Sequence, residues 1–225
     1  MIDALIKCLL AYALGNVMGG AIVGRLRGGV DLRQQGSGNI GATNALRTQG
    51  KAFAIAVLLI DVFKGAIAAR LLPMLPAFPD SAMALPRETL AYLCGVSVAI
   101  GHCYPIVLGF KGGKGVATLG GVFAALLPAA LPLMLLLFVL LILCTGYVSA
   151  ATLAAAFGAL LYVLLIDAQS LLGVASLFTI GMVALVLFKH RQNIQRLLDG
   201  SEHRFERARL IGRWIDRRRG IDETP

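Results

Sequence analysis

The chain has 225 residues, of which 58% are hydrophobic and only 15% charged. Soluble domains carry roughly 25% charged residues, so a soluble enzyme is excluded, and the length allows a bundle of spanning helices with little beyond it. The formal net charge of +9 sits beside hydrophobic spans, so membrane topology explains the basic residues better than nucleic acid does.

A helical crossing needs about 20 residues. Ile2–Gly24 fits the first. It has no basic stretch ahead of it and arginines behind it, which predicts a retained helix with its N-terminus outside rather than a cleaved signal. Arg25, Arg27, Arg33, Arg47 and Lys51 then crowd a polar loop against a single acid, Asp31. The second span, Ala52–Leu75, carries Asp61 and Lys64 three residues apart on one helix face. They read either as a pair inside the bundle or as lining of an active site. Thr89–Leu108 follows, with His102 expected to satisfy a hydrogen bond within the bundle.

The stretch Val116–Gly146 would be about 46 Å long as one helix, too long for a hydrocarbon core of about 30 Å. Pro128 and Pro132 near its middle predict a break, giving Val116–Leu127 and Leu131–Gly146. Ser149–Ile166 and Ser170–Phe188 complete the spans, and the tail from Lys189 holds ten basic residues against six acids. Arg204–Ile221 reads as a surface-lying amphipathic helix or as a solvated basic tail. The four cysteines, Cys8, Cys94, Cys103 and Cys144, lie in apolar segments without C-x-x-C spacing. They are small hydrophobes, and neither a disulfide framework nor a metal site is expected.

The basic loops all belong on the cytoplasmic side. An even number of crossings must then separate the loop near Lys114 from the tail. Four crossings give seven in total, and two would give five if Pro128 only kinks a helix. The expected fold is an all-α, polytopic membrane bundle of seven transmembrane helices, N-terminus outside and C-terminus cytoplasmic. Residues 1–203 form the membrane domain and 204–225 a basic cytoplasmic tail.

Three polar segments carry the chemistry. The first, Gly36-Ser-Gly-Asn-Ile-Gly41, matches G-x-G-x-x-G but lies between membrane spans, so no dinucleotide fold surrounds it. Ser37, Asn39, Thr43, Asn44 and Arg47 add hydroxyl, amide and guanidinium donors to Gly36, Gly38 and Gly41, which suggests phosphate binding against the plainer reading of a glycine-rich connector. The second sets Lys111 and Lys114 among Gly109, Gly112, Gly113 and Gly115. It is not a Walker A loop, because three residues replace four between its glycines and Gly115 stands where a magnesium-binding hydroxyl belongs. Positive-inside placement explains its lysines but not its glycines. The third begins at His190, with Asn193 three residues on, expected on one face of a continuing helix and open to one ligand or serving only as interface anchors.

Together, S-G-N-x-G-A-T-N with the following Arg47, F-K-G-G-K-G-V-A-T, and H-R-x-N-I-x-R-L-L-x-G-x-E resemble the bacterial acyl-phosphate:glycerol-3-phosphate acyltransferases, over Met1 to about Glu202. The resemblance implies transfer of a fatty acyl chain from acyl phosphate to the 1-hydroxyl of glycerol 3-phosphate, giving lysophosphatidic acid for phospholipid synthesis. It implies a multi-pass protein of the bacterial inner membrane, with its active site facing the cytoplasm and no cofactor. Ser37, Arg47, Lys114, His190 and Asn193 would form the polar site and Gly36–Gly41 would cradle a phosphate. Membrane lipid is then a partner, and a soluble acyl-phosphate-producing enzyme docking at the basic tail is another.

Thioester-dependent glycerolipid acyltransferases resemble one another in an H-x4-D motif. Five residues after His102, His190 and His203 stand Val107, Gln195 and Ala208, which argues for a different donor. A small organic-phosphate transporter is the rival class, but such proteins place charges at the midplane and show internal repeats. Here the polar segments cluster at the cytoplasmic face and no repeat is evident.

Overall fold

The computed structural model describes residues 1–76, 85–165 and 173–218, and the regular elements among them are all helical. The expected outer loop around Asp80, the ends of two spans near Ile166 and Ser170, and the tail beyond Arg218 lie outside the described residues. The chain forms two compact units, Met1–Pro128 and Ala129–Pro225.

The first unit comprises α1 (Ile2–Gly15), α2 (Gly19–Leu26), α3 (Ala42–Gln49), α4 (Lys51–Arg70), α5 (Arg87–Cys103) and α6 (Val116–Leu126). Glycine brings its helices into backbone contact, as bundles require where apolar burial gives no driving force. A methyl group on Gly101 of α5 would strike the Tyr12 carbonyl of α1. Methyl groups on Gly65 of α4 and Gly121 of α6 would strike the carbonyls of Thr118 and Val62. Larger residues at these positions would push the helices apart.

The single helix expected over Ile2–Gly24 is broken instead. α1 ends at Gly15, and α2 leaves at a 42° bend. Breaking a helix in apolar surroundings strands carbonyls at one end and N–H groups at the next. α4 satisfies both. Lys64 Nζ donates to the carbonyls of Gly15 (3.1 Å) and Val17 (2.7 Å), while Asp61 Oδ1 accepts from the N–H of Gly19 (3.2 Å). The two side chains pair at 2.8 Å and are almost fully buried. Each charge also faces the favourable end of a helix dipole, the ammonium at the C-terminus of α1 and the carboxylate at the N-terminus of α2.

The expected break near Pro128 is present, yet α6 is shorter than a crossing. Its 11 residues rise about 16 Å. α6 runs beside α4, and its last residues, Ala125 and Leu126, share a cavity lining with Ala69 and Arg70 at the end of α4. It therefore starts part-way along α4, where α5 also ends.

The second unit holds α7 (Leu131–Thr145), α8 (Val148–Leu165), α9 (Val174–Lys189), α10 (Arg191–Leu198) and α11 (Leu210–Arg218). α7 and α8 form a hairpin through Gly146, whose φ of +77° favours glycine. α7 buries none of its residues, as suits a helix facing lipid. The tail is not simply solvated. Arg204 Nε donates to the Thr145 carbonyl at the end of α7 (2.8 Å), and α11 packs there through Gly212. At the same end of the unit α9 bends by 58° into α10, whose Asn193 shares Glu202 with Ser149 at the start of α8. By length and composition, four helices of the described chain can each cross a membrane, or six if each bent pair is one span.

Lys64→Met should be strongly destabilising, because it leaves Asp61 and two carbonyls buried without their cation. Removing one partner of a buried pair costs about 3–5 kcal/mol. Asp61→Asn combined with Lys64→Met should recover part of that loss, as read by thermal unfolding in detergent.

Candidate active site

The first polar segment folds around one side chain. Asn44, on the first turn of α3 and buried, accepts from the Ser37 N–H (2.9 Å), and its amide nitrogen shares its two N–H groups among the carbonyls of Leu32 (3.0 Å), Gln35 (2.9 Å) and Asn39 (2.8 Å). Gly36 has a φ of +57°, and a methyl group there would overlap the Asn44 amide. The N–H of Gly38 is taken by the Gln35 carbonyl and that of Gly41 by Asn39 Oδ1. These amides hold the loop together. What the segment presents outward is the exposed side chains of Ser37 and Thr43, with Arg47 half-buried on the same short helix. Asn44 is thereby engaged in shaping the segment. The Ile40 carbonyl sits so close to Gly20 that a side chain there would overlap it, which ties the loop to α2.

The lysine segment is held by the end of α5. The Gly113 N–H donates to the His102 carbonyl (3.1 Å), and methyl groups on Gly112 and Gly113 would collide with that carbonyl and with His102 Nε2. Phe110 takes a φ of +62°, a strained conformation for a bulky residue and one found where surroundings over-determine the backbone. Lys111 is exposed and Lys114 half-buried. His102, expected to hydrogen-bond within the bundle, does so: its Nδ1 lies 2.8 Å from Lys64 Nζ.

His190 and Asn193 belong to the second unit. The helix does not continue past His190 as expected: the residue is the corner between α9 and α10. Its Nδ1 lies 2.9 Å from the Val186 carbonyl. A carbonyl can only accept, so Nδ1 carries the proton and a neutral ring keeps its lone pair on Nε2. Asn193 Nδ2 donates to Glu202 Oε1 (2.7 Å), and Arg196 Nε donates to Glu202 Oε2 (2.8 Å). The partners of Glu202 and the contact of His102 with the lysine loop were not legible in sequence. An acid four residues after a helix end gives no sign of its partners, and a lone histidine on an apolar helix looks the same whether or not it touches a loop.

Burial pushes the Glu202 carboxyl up, but hydrogen bonds from Arg196, Asn193 and Ser149 and the Arg196 charge outweigh it and hold the group below its ordinary value. A lowered carboxyl contributes stability above its unfolded value of 4.5 and loses it as pH falls through the lowered folded value. Glu202→Gln should therefore be less stable than wild type at neutral pH, by about 1–2 kcal/mol given the partial exposure of Arg196. The gap should close as the medium is acidified below the ordinary carboxylate range, as followed by thermal unfolding in detergent.

Comparison with known proteins bears on this arrangement. The family model described as glycerol-3-phosphate acyltransferase matches residues 5–200. A glycerol-3-phosphate acyltransferase of Desulfotalea psychrophila is 42% identical over 195 residues, covering 86% of this chain and 94% of that protein. One of Geobacter sulfurreducens is 40% identical, covering 92% and 100%. The chain also superposes on the crystal structure of PlsY, an integral membrane glycerol 3-phosphate acyltransferase, in its glycerol 3-phosphate form. That match has a TM-score of 0.78 and 37% identity, covering 90% of this chain and 95% of that one. The lysophosphatidic acid form of PlsY matches with a TM-score of 0.76 and 35% identity, covering 89% and 94%. The match spans all three polar segments, and the chain belongs to the glycerol-3-phosphate acyltransferase family.

Proposed function

We propose that this acyltransferase takes its acyl group from an acyl phosphate and delivers it to the 1-hydroxyl of glycerol 3-phosphate, giving lysophosphatidic acid. The observation that carries this reading is that the first unit holds two built loops, one presenting Ser37, Thr43 and Arg47 and the other Lys111 and Lys114. Both substrates carry a phosphate, and cationic side chains on rigid loops suit two such groups. The lack of an H-x4-D dyad fits a donor other than a thioester.

The glycerol oxygen bonds to the acyl carbon, and the bond from that carbon to the phosphate oxygen breaks. Inorganic phosphate leaves, and the hydroxyl proton passes to it or to a base. A mixed anhydride has a good leaving group, so the protein's task is to position the two substrates and stabilise the developing oxyanion. Lys114 and Arg47 are assigned to phosphate and oxyanion charge, Ser37 to a hydrogen bond from its hydroxyl, and Gly36, Gly38, Asn39, Gly41, Asn44, Gly112 and Gly113 to the shape of the loops. His190, with Nε2 able to accept, takes the glycerol hydroxyl, and Asn193 supports the same segment from its bond to Glu202. We assign His190 to binding more than to base catalysis, because an anhydride donor hardly needs a strong base.

We further propose seven crossings in a bacterial inner membrane, N-terminus outside, with the polar loops and tail cytoplasmic. The basic loops support this orientation, and α6, though short, reaches the same end of the first unit as α4. A soluble enzyme that makes acyl phosphate is a fitting partner for the basic tail.

Purified protein given glycerol 3-phosphate should form lysophosphatidic acid with acyl phosphate and not with acyl-CoA alone. Robust turnover of acyl-CoA would refute the donor assignment. Cysteine labelling should find Gln35, Gly112 and Ser201 accessible from one side of the membrane.

Arg47→Ala and Lys114→Ala should each lower kcat/KM by about 10- to 150-fold, the equivalent of one charge-assisted hydrogen bond. His190→Ala should raise KM for glycerol 3-phosphate while the pH profile survives. If His190 is instead the general base, the rate should fall about 10²- to 10⁴-fold and lose its pH dependence near neutrality.

A further inference from the structure

The ammonium of Lys64 does more than cap the broken helix. Besides the carbonyls of Gly15 and Val17 it meets Asp61 Oδ1 at 2.8 Å and His102 Nδ1 at 2.8 Å. An ammonium has only donors, so His102 Nδ1 must present its lone pair and the ring proton sits on Nε2. Asp61, with Oδ1 3.6 Å from the same Nδ1, favours the ammonium that makes this arrangement. The tautomer and rotamer of His102 are thus set from inside the bundle.

On its other edge the ring meets the lysine loop. Gly113 lies so close to Nε2 that even one added methyl group would overlap it, and the Gly113 N–H is bonded to the His102 carbonyl. Lys114 is the next residue. The Asp61–Lys64 pair also begins α2 at Gly19, and α2 holds the first polar loop through Gly20 and Ile40. One buried chain of contacts therefore runs from the helix break to the backbone that carries Lys114.

We propose that His102 is a positioning residue for the acyl transfer, held in one orientation by Lys64 and setting the place of the Gly112–Lys114 backbone from which Lys114 acts. This rests on the assignment of Lys114 to the active site. Displacement by about 1 Å of a catalytic group can cost on the order of 10²-fold in rate, so the contact is of the size that matters.

The test is a double-mutant cycle in kcat/KM, using purified full-length protein with acyl phosphate and glycerol 3-phosphate. His102→Ala should lower kcat/KM by about 10- to 100-fold in the wild-type background. In the Lys114→Ala background it should cost less than about threefold, because the group it positions is already gone. Equal losses in both backgrounds would overturn the proposal and leave His102 as general packing. His102→Asn places an acceptor where Nδ1 stands, so it should keep the thermal unfolding midpoint near wild type while still losing kcat/KM. Full kinetic rescue by Asn would mean that only the Lys64 contact matters, which also contradicts positioning. If His102→Ala does not fold, Gly113→Ala, which presses the loop off the ring, goes through the same cycle with the same two outcomes. Wild type without acyl-phosphate-dependent product would instead refute the proposed function, a result separate from any of these.

Discussion

The arrangement of the first unit depends on one ammonium group placed at a broken helix. Lys64 supplies hydrogen-bond donors to the carbonyls stranded at the end of α1, and Asp61 accepts from the start of α2. Without that pair the N-terminal segment has no reason to bend in apolar surroundings, where an unsatisfied backbone group costs several kcal/mol. With it, α2 can leave the line of α1 and carry the Gly36–Gly41 loop, while His102 is drawn to the same charge and meets the lysine loop. A buried ion pair is weak evidence for stability in general. Here its worth lies in the geometry it imposes.

Much of this was legible in the sequence and some was not, for identifiable reasons. The apolar spans and the break near Pro128 followed from length and proline, because a hydrocarbon core sets both rules. The Asp61–Lys64 pair followed from helical spacing. The bend after Gly15 did not, since the apolar run continues across it and the groups that make it tolerable sit on α4, more than forty residues away. The corner at His190 was hidden in the same way, within a segment whose composition reads as uninterrupted helix.

The polar segments show a subtler divergence. Glycine and lysine side by side suggested that backbone N–H groups would cradle phosphate. In the first segment the N–H groups of Ser37, Gly38 and Gly41 are instead bonded within the loop, two of them to Asn44 or Asn39 side chains. Glycine serves there to admit the Asn44 amide and to allow positive φ, and binding falls to the side chains that the stiffened loop displays. A rigid loop presenting cationic side chains suits a reaction whose substrates both carry phosphates, since most of the entropy of ordering is spent in folding and not at binding.

The most direct test of this account is a structure of the protein with glycerol 3-phosphate bound. The account predicts that side chains of the polar loops, with Arg47 or Lys114 among them, contact the phosphate, while Lys64 stays on Asp61, His102 and the Val17 carbonyl. A phosphate bound to Lys64 in the helix break, with Arg47 and Lys114 both away from it, would contradict the division between buried scaffold and catalytic loops.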